Sequence, residues 1–233
     1  MKLYSGPLSL FSRKVEIALR EKGLPFGRLI VAFSQESGYS PKHPDVLAVN
    51  PKGQVPVLVD GELSLYDSTI ILEYLEDAYP RPPLYPSPPP LRARCRQLEL
   101  HADEVMLTPL RALMHRTGPR PADPKIWVEW EADATAAEAV LSRHLQDLNQ
   151  KLEGNEYLCG ALSVADIAIF MAVLFTLRLG GPSIADHRAL RDWYARLSAR
   201  PAFAVVAGEV AAADRELSYP IAGEAIATRH ARA

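Results

Sequence analysis

The stretch QVPVLVDGELSLYDSTIILEYLEDAYP, residues 54–80, holds two β-patterned runs followed at once by a helical run. The two runs flank Asp60-Gly61, and Asp-Gly between alternating apolar residues is the strongest short-range signal of a β-hairpin. Behind the hairpin, apolar side chains recur at helical spacing over 67–79: Ile70, Ile71, Tyr74, Leu75 and Ala78. The segment therefore predicts a strand pair that leads directly into a helix.

The residues before the hairpin alternate between strand and helix patterns. Residues 2–4 predict a short strand, 12–22 predict a helix that stops at Gly23, and 26–33 predict a second strand. A loop with room for a short helix then leads to the hairpin. The order βαβ followed by ββα predicts a small α/β domain over residues 1–78.

A proline-rich segment, YPRPPLYPSPPP at 79–90, follows this domain and holds seven of the twenty prolines in the chain. Proline continues neither a helix nor a sheet ladder, and consecutive prolines stiffen a connector. The segment predicts a linker between two domains, and a recognition motif for a partner is the alternative. An all-helical domain is predicted over 91–217, with helices near 91–117, 126–152, 164–178, 187–198 and 202–216, before a weakly patterned, partly disordered tail at 218–233.

The clearest sequence motif in the helical part is SVADIAIFMAVLFTL, residues 163–177. Ser163 and Asp166 have the spacing of a capping box at the start of a helix. The residues that follow are apolar on nearly all sides, which predicts a helix buried at the centre of the domain.

Composition excludes several classes of protein. Apolar residues make up 48% of the chain and charged residues 23%, and the net charge of −2 favours neither nucleic acid nor an anionic membrane as a partner. The N-terminal residues show no signal-peptide pattern, and the longest apolar run, 167–177, is too short to span a bilayer. A cytoplasmic protein is expected.

The two cysteines, Cys95 and Cys159, form no CxxC pair and no metal-ligand pattern with the six histidines. The sequence therefore predicts no metal site. We interpret both cysteines as buried small apolar residues in a reducing compartment.

Four segments, taken in order, resemble the cytosolic glutathione transferases. NPKGQVPVL (50–58) resembles the stretch with the family's cis-proline, and LYDSTIILEYLEDAYP (65–80) resembles its glutamyl-binding turn. SVADI (163–167) resembles its capping box, and SLFSRKVEIAL (9–19) resembles the catalytic loop of its serine- and cysteine-using classes. The resemblance extends from residue 2 to about 210 and implies a thioredoxin-like N-terminal domain followed by an all-helical domain.

The resemblance implies glutathione as co-substrate and suggests where its backbone binds. A cis Val55–Pro56 bond would leave the Val55 N–H and C=O free to pair with the cysteinyl part, and Gln54 would contact the glycyl end. Lys42 is the expected partner of the glycyl carboxylate, with Lys52 as the alternative.

The same resemblance assigns the γ-glutamyl end of glutathione to Asp67 and Ser68. Unpaired N–H groups at a helix start attract an anion, so Ser68 would hold the carboxylate while Asp67 balances the ammonium. Both are also ordinary helix-capping residues, and the family often has the longer Glu or Gln where this chain has Asp67.

Activation of the glutathione thiol needs a hydrogen-bond donor, because the thiolate is the nucleophile and a free thiol has a pKa of ~8.5. Ser9 aligns with the catalytic residue of the classes named above and is the first candidate. Tyr4 is the second, since other classes use a tyrosine at the end of the first strand. Ser12 ranks third, because it is the expected N-cap of the first helix and its hydroxyl would already be bonded to backbone N–H groups.

Three functions remain open at this point. The first is conjugation of glutathione to small apolar electrophiles, with Met106, Leu110, His115 and residues of 164–175 near the interdomain cleft expected to line the electrophile pocket. The second is a glutathione-dependent isomerase, although the S-S-C motif of maleylacetoacetate isomerases is absent. The third is a non-enzymatic binding or regulatory module on the same fold.

A homodimer is also expected, because the two long helices carry more apolar residues than one buried face requires. These surplus positions are Leu98, Val105, Leu113, Trp127, Trp130 and Leu141.

Overall fold

The computed structural model describes residues 1–221 of the chain. A four-stranded sheet with three helices comes first: β1 (Lys2–Ser5), α1 (Leu10–Glu21), β2 (Gly27–Ile30), α2 (Pro44–Val49), β3 (Val57–Asp60), β4 (Leu63–Tyr66) and α3 (Ser68–Ala78). The strand order is β2-β1-β3-β4, with β1 parallel to β2 and antiparallel to β3. The predicted βαβ–ββα order is confirmed, and α2 occupies the loop between the two halves.

Glycines with positive φ form two of the turns in this domain. Gly23, directly after the C-cap of α1, has φ 65°, and Gly61 in the hairpin has φ 60°, values at which a side chain would be strained. The small core between sheet and helices is formed by Leu3, Val15, Leu19, Leu58, Ile71 and Leu75. α1 and α3 therefore pack together against the sheet.

The second part of the chain is helical. Its elements are α4 (Pro89–Leu100), a π-helical turn (His101–Met106), α5 (Leu107–Leu113), a 3₁₀ turn (Met114–Thr117), α6 (Pro124–Leu152), α7 (Val164–Arg178), α8 (Arg188–Ser198) and α9 (Pro201–Leu217). The predicted helix over 91–117 is thus helical throughout but changes pitch at the π-helical turn.

α7 is the centre of the helical part, as the sequence predicts. Every residue of α7 is buried, and Ser163 and Asp166 form the capping box. The Asp166 carboxylate also accepts hydrogen bonds of 3.0 Å from the Leu158 N–H and of 3.0 Å from the Trp193 indole. One carboxylate therefore fixes the start of α7, the turn before it and α8.

Among residues 1–221, no helix combines the length and apolarity needed to cross a bilayer. The predicted tail at 218–233 lies largely outside the described residues. Its beginning contacts the body of the protein, because the Tyr219 N–H donates to the Thr117 carbonyl at 2.9 Å.

Of the six apolar positions proposed for a dimer, three are core, two are exposed and Trp127 is half-buried. Leu98, Leu113 and Leu141 belong to the core of the helical part. Val105 and Trp130 are exposed, at 45% and 39% of their surface. Three of the six positions therefore fill the helical core, because α6 and the α4–α5 segment each bury more than one face.

Candidate active site

A cleft of about 500 Å³ runs between the start of α3 and the α4–α5 segment. Its first wall holds five of the predicted binding residues together: Gln54, Val55, Pro56, Asp67 and Ser68. The opposite wall is formed by charged side chains, among them Arg96, Glu99, Asp103 and Arg111.

The Val55–Pro56 peptide bond is cis, as the resemblance implies. The turn before it is fixed by Asn50, whose side chain donates to the Gln54 carbonyl at 2.8 Å and accepts from the Lys52 N–H at 3.0 Å. No backbone hydrogen bond engages the Val55 N–H or C=O within residues 1–221. An extended ligand backbone can therefore pair with this edge.

The start of α3 is shaped by Asp67, its N-cap residue. The Asp67 carboxylate accepts from the Thr69 N–H at 3.0 Å and from the Ile70 N–H at 3.4 Å. Asp67 has φ 74°, a left-handed conformation that is costly for a residue with a side chain and is common at functional sites. The capping bonds leave the N–H and hydroxyl of Ser68 available to an anion at this end of the cleft.

Lys14 forms ion pairs with two residues of the opposite wall, Glu99 and Asp103. Its side chain is fully buried on α1, and its ammonium lies 2.9 Å from Glu99 and in very short contact with Asp103. Glu99 also accepts from the Thr69 hydroxyl at 2.9 Å. This network joins α1, the start of α3 and the far wall of the cleft.

The two titratable partners in this network respond to burial in different ways. Burial lowers the pKa of Lys14, but the Asp103 and Glu99 charges outweigh it, so the net shift is upward. Burial raises the pKa of Asp103 by more than the Lys14 charge lowers it. The sequence does not reveal this network, because a lysine and two acidic residues on helices are usually solvated.

Ser9 is the N-cap of α1, and the prediction that Ser12 is the cap is wrong. The helix begins at Leu10, so Ser12 lies inside its first turn. Ser12 donates to the Ser9 oxygen twice, from its N–H at 3.2 Å and from its hydroxyl at 3.0 Å. A serine oxygen has two acceptor lone pairs and one proton, so both lone pairs are used and the proton is left over.

The loop before Ser9 is held by Arg13, which donates to the Pro7 carbonyl from Nε at 3.3 Å and from its terminal nitrogen at 3.2 Å. Arg13 in turn pairs with the buried Glu16 at 3.0 Å. Ser5 donates to the same Glu16 carboxylate at 2.5 Å, so its hydroxyl is structural.

Tyr4, the second catalytic candidate, faces away from the cleft. Its hydroxyl donates to Asp45 at 2.5 Å and accepts from Lys2 at 2.6 Å. Tyr4 lines neither the cleft nor the cavity described next. The Tyr4 hydroxyl proton is already donated to the Asp45 carboxylate.

Ser9 lines a second, apolar cavity of about 140 Å³. Phe11 and Leu107 line both this cavity and the cleft, so the two spaces adjoin. The remaining walls come from the loop before α1 and the start of α1, the loop between β2 and α2, the segment of α5 and the 3₁₀ turn, and the end of α7: Leu8, Leu10, Tyr39, Leu110, Met114, Phe175 and Leu179.

Of the three residues expected individually to line an electrophile pocket, the structure brings Leu110 to this cavity but not Met106 or His115. Met106 is fully buried in the helical core, because it points inward from the π-helical turn. His115 bonds to Glu131 at 2.9 Å and packs edge-on against Trp127, which turns it away. Phe175, within the predicted range 164–175, also lines the cavity, as does Met114, which no feature of the sequence indicated.

The lysine assignment changes in a similar way. Lys42 does not line the cleft, and its aliphatic stem lies against Gly53. Lys52, the alternative, does line it. In the part of the chain that the structure describes, no group of three or more His, Cys, Asp and Glu is placed to hold a metal ion.

The fold is that of a glutathione-transferase-type protein. The model of the glutathione S-transferase N-terminal domain matches residues 3–83, and that of the C-terminal domain matches residues 109–201. The chain belongs to the cytosolic glutathione S-transferase family.

Individual relatives carry different names. The chain is 32% identical to a probable maleylacetoacetate isomerase of Vibrio cholerae over 212 residues, which cover 89% of this chain and 95% of the relative. It is 42% identical to a stringent starvation protein A homolog of Coxiella burnetii, but over 98 residues that span only 44% of that relative. A glutathione S-transferase structure from Rhodospirillum rubrum superposes with a TM-score of 0.76 at 29% identity, covering 88% of this chain and 90% of that one.

Proposed function

We propose that the protein is a glutathione transferase, which adds the glutathione thiolate to small apolar electrophiles. The observation that carries the proposal is the Ser9 hydroxyl. It accepts two hydrogen bonds from Ser12, and it lines the apolar cavity that adjoins the polar cleft.

In this proposal the cleft binds glutathione as an extended strand. The Val55 backbone pairs with the cysteinyl part, the Ser68 N–H and hydroxyl bind the γ-glutamyl carboxylate, and Asp67 faces the ammonium. Lys52 replaces Lys42 as the partner of the glycyl carboxylate, and Gln54 contacts the glycyl end. The cleft volume and its five predicted residues support this assignment.

Ser9 then activates the thiol. A hydroxyl that donates to the sulfur stabilises the thiolate and lowers the thiol pKa, and each pKa unit is worth about 1.4 kcal/mol. The two hydrogen bonds that Ser9 accepts polarise its own O–H and make it a better donor. Ser9 needs no general base, because it keeps its proton throughout.

The electrophile binds in the apolar cavity next to Ser9. Its walls are almost wholly hydrocarbon, which favours an apolar reacting group, and its small volume of about 140 Å³ favours a compact one. Attack by the thiolate then forms the new C–S bond where the two spaces adjoin, and the bond to the leaving group, such as the halide of an aryl halide, breaks so that this group departs as an anion.

A glutathione-dependent isomerase is the second candidate. It is favoured by one observation, the 32% identity to a probable maleylacetoacetate isomerase across most of both chains. The two reactions differ in their use of thiol, because a transferase consumes glutathione and an isomerase returns it. A non-enzymatic binding module remains the third candidate.

The experiment has two stages. Purified protein is first applied to immobilised glutathione, with a Ser68→Ala variant as the matched control, because only that variant loses a group facing the anion. Free thiol is then followed with an aryl halide and, separately, with maleylacetoacetate. Thiol loss with the halide supports the transferase, isomerisation without thiol loss supports the isomerase, and failure to bind glutathione contradicts both.

Two further proposals accompany this function. We propose the cytoplasm as its location, which the free state of both cysteines supports. We also propose a homodimer, which the exposed apolar side chains of α3 and the π-helical turn support.

A further inference from the structure

The hydroxyl of Thr69, in the first turn of α3, is bonded to the other side of the cleft. It donates to the Glu99 carboxylate at 2.9 Å, and Glu99 belongs to α4 in the helical part of the chain. Both residues line the cleft. One hydrogen bond therefore connects the wall that carries Ser68 to the wall that faces it.

Glu99 is itself held in place by two further donors. The Lys14 ammonium donates to it from α1 at 2.9 Å, and the Tyr85 hydroxyl donates to it from the linker at 3.3 Å. Glu99 is only 1% exposed. A buried carboxylate with three donors has little freedom to move, so the Thr69 hydroxyl is bonded to a fixed point.

The backbone of Thr69 is fixed as well, by the residue two positions earlier. The Thr69 N–H donates to the Asp67 carboxylate at 3.0 Å. Asp67 has φ 74°, a left-handed conformation that persists only where the surrounding structure holds it. Ser68 lies between these two residues in the chain, so the orientation of its N–H and hydroxyl depends on both hydrogen bonds of Thr69.

We propose that Thr69 is a positioning residue for glutathione, and this inference rests on the function proposed above. The Thr69–Glu99 hydrogen bond sets the orientation of the first turn of α3, and Ser68 in that turn presents its N–H and hydroxyl to the γ-glutamyl carboxylate. Thr69 acts through Ser68, because its own hydroxyl proton is already donated to Glu99. A group that is held in its binding geometry in advance loses less freedom when the ligand arrives, which raises affinity.

The alternative is a purely structural contact between the two parts of the chain. Such a bond would contribute to the stability of the fold but would leave the affinity for glutathione unchanged. Stability and affinity are therefore measured on the same variants.

The primary test is Thr69→Val in the full chain. Valine has nearly the shape of threonine, and Glu99 keeps Lys14 and Tyr85 as donors, so the variant should fold, which urea unfolding checks. Calorimetric titration with glutathione should give a dissociation constant about tenfold higher than that of the unaltered chain, the size expected for one lost hydrogen bond to a charged group. With an aryl halide, KM for glutathione should rise by the same factor while kcat at saturating glutathione stays unchanged.

Two further variants serve as controls. Thr69→Ser is the rescue variant, because serine keeps a hydroxyl that can donate to Glu99, and its dissociation constant should lie within about twofold of that of the unaltered chain. Thr135→Val on α6 makes the same change outside the cleft, at a threonine whose hydroxyl donates to the Glu131 carbonyl at 2.8 Å. It should bind glutathione as the unaltered chain does.

The outcomes separate the positioning role from the function on which it rests. If the unaltered chain binds glutathione and Thr69→Val binds it equally well, the positioning role is wrong and the proposed function stands. An equal loss of affinity in Thr69→Val and Thr69→Ser would also overturn the role, because the hydroxyl would not be its cause. If the unaltered chain does not bind glutathione, the proposed function is contradicted and the positioning role with it.

Discussion

Ser12 donates two hydrogen bonds to the oxygen of Ser9, one from its backbone N–H at 3.2 Å and one from its hydroxyl at 3.0 Å. The capping serine of α1 therefore keeps its own proton available, and it lines the apolar cavity that adjoins the cleft. Capping and donation use different parts of the same hydroxyl, so one residue can do both.

Ser9→Ala should lower turnover with an aryl halide by roughly one to two orders of magnitude, since a hydrogen bond to a charged group is worth ~1.5–3 kcal/mol. It should also cost about 1 kcal/mol of stability through the lost cap, so turnover is measured well below the unfolding temperature. Tyr4→Phe is the matched control, because the Tyr4 proton is committed to Asp45. A larger loss of turnover in Tyr4→Phe than in Ser9→Ala would move the role to Tyr4.

Lys14→Met should destabilise the protein by about 3–5 kcal/mol, because it leaves Glu99 and Asp103 near a buried site without their cation. Urea unfolding at neutral pH measures the change. Lys2→Met is the control: that side chain is 47% exposed, and its removal should change stability by less than about 0.5 kcal/mol. A loss below about 1 kcal/mol for Lys14→Met would mean that the network contributes little.

The hydrogen bonds from Tyr79 and Tyr74 lower the pKa of Asp60 below its usual value. A carboxyl with a lower pKa in the folded state stabilises the protein above its unfolded pKa, and this contribution is lost as pH falls through the folded pKa. The double variant Tyr74→Phe, Tyr79→Phe should therefore be less stable than the parent at pH 7, with a smaller difference near pH 3. Urea midpoints at both pH values decide this, and a difference that grows in acid would contradict the sign.

A dimer should sediment at twice the chain mass of 25.7 kDa at micromolar concentration. If the exposed side chains of α3 and the π-helical turn meet a second copy, then Ile70→Glu and Val105→Glu should each produce monomer, because each would bury a charge. Val205→Glu, at a similarly exposed position on α9, should leave the dimer intact. A single 25.7 kDa species for the unaltered chain would contradict the dimer and mean that these exposed apolar residues do not form a dimer interface.

The sequence by itself determined the order of elements and most of their ends. The hairpin at Asp60-Gly61, the stop at Gly23 and the capping box of Ser163 and Asp166 are all present in the structure. Each depends on backbone conformations and hydrogen bonds within a few residues, which local sequence encodes directly. Helix capping is also an interaction between residues close in sequence, which explains why Asp67 and Ser68 could be assigned to the start of α3.

Only the tertiary structure decided which charged and polar groups meet. Lys14 reaches Glu99 across 85 positions of sequence, and Arg13 reaches Glu209 across 196. The exchange of Lys42 for Lys52 and the turning away of His115 likewise depend on how whole helices pack. A charged or thiol side chain has the same local pattern whether it is solvated or buried, so only the face that packs against it fixes its chemistry.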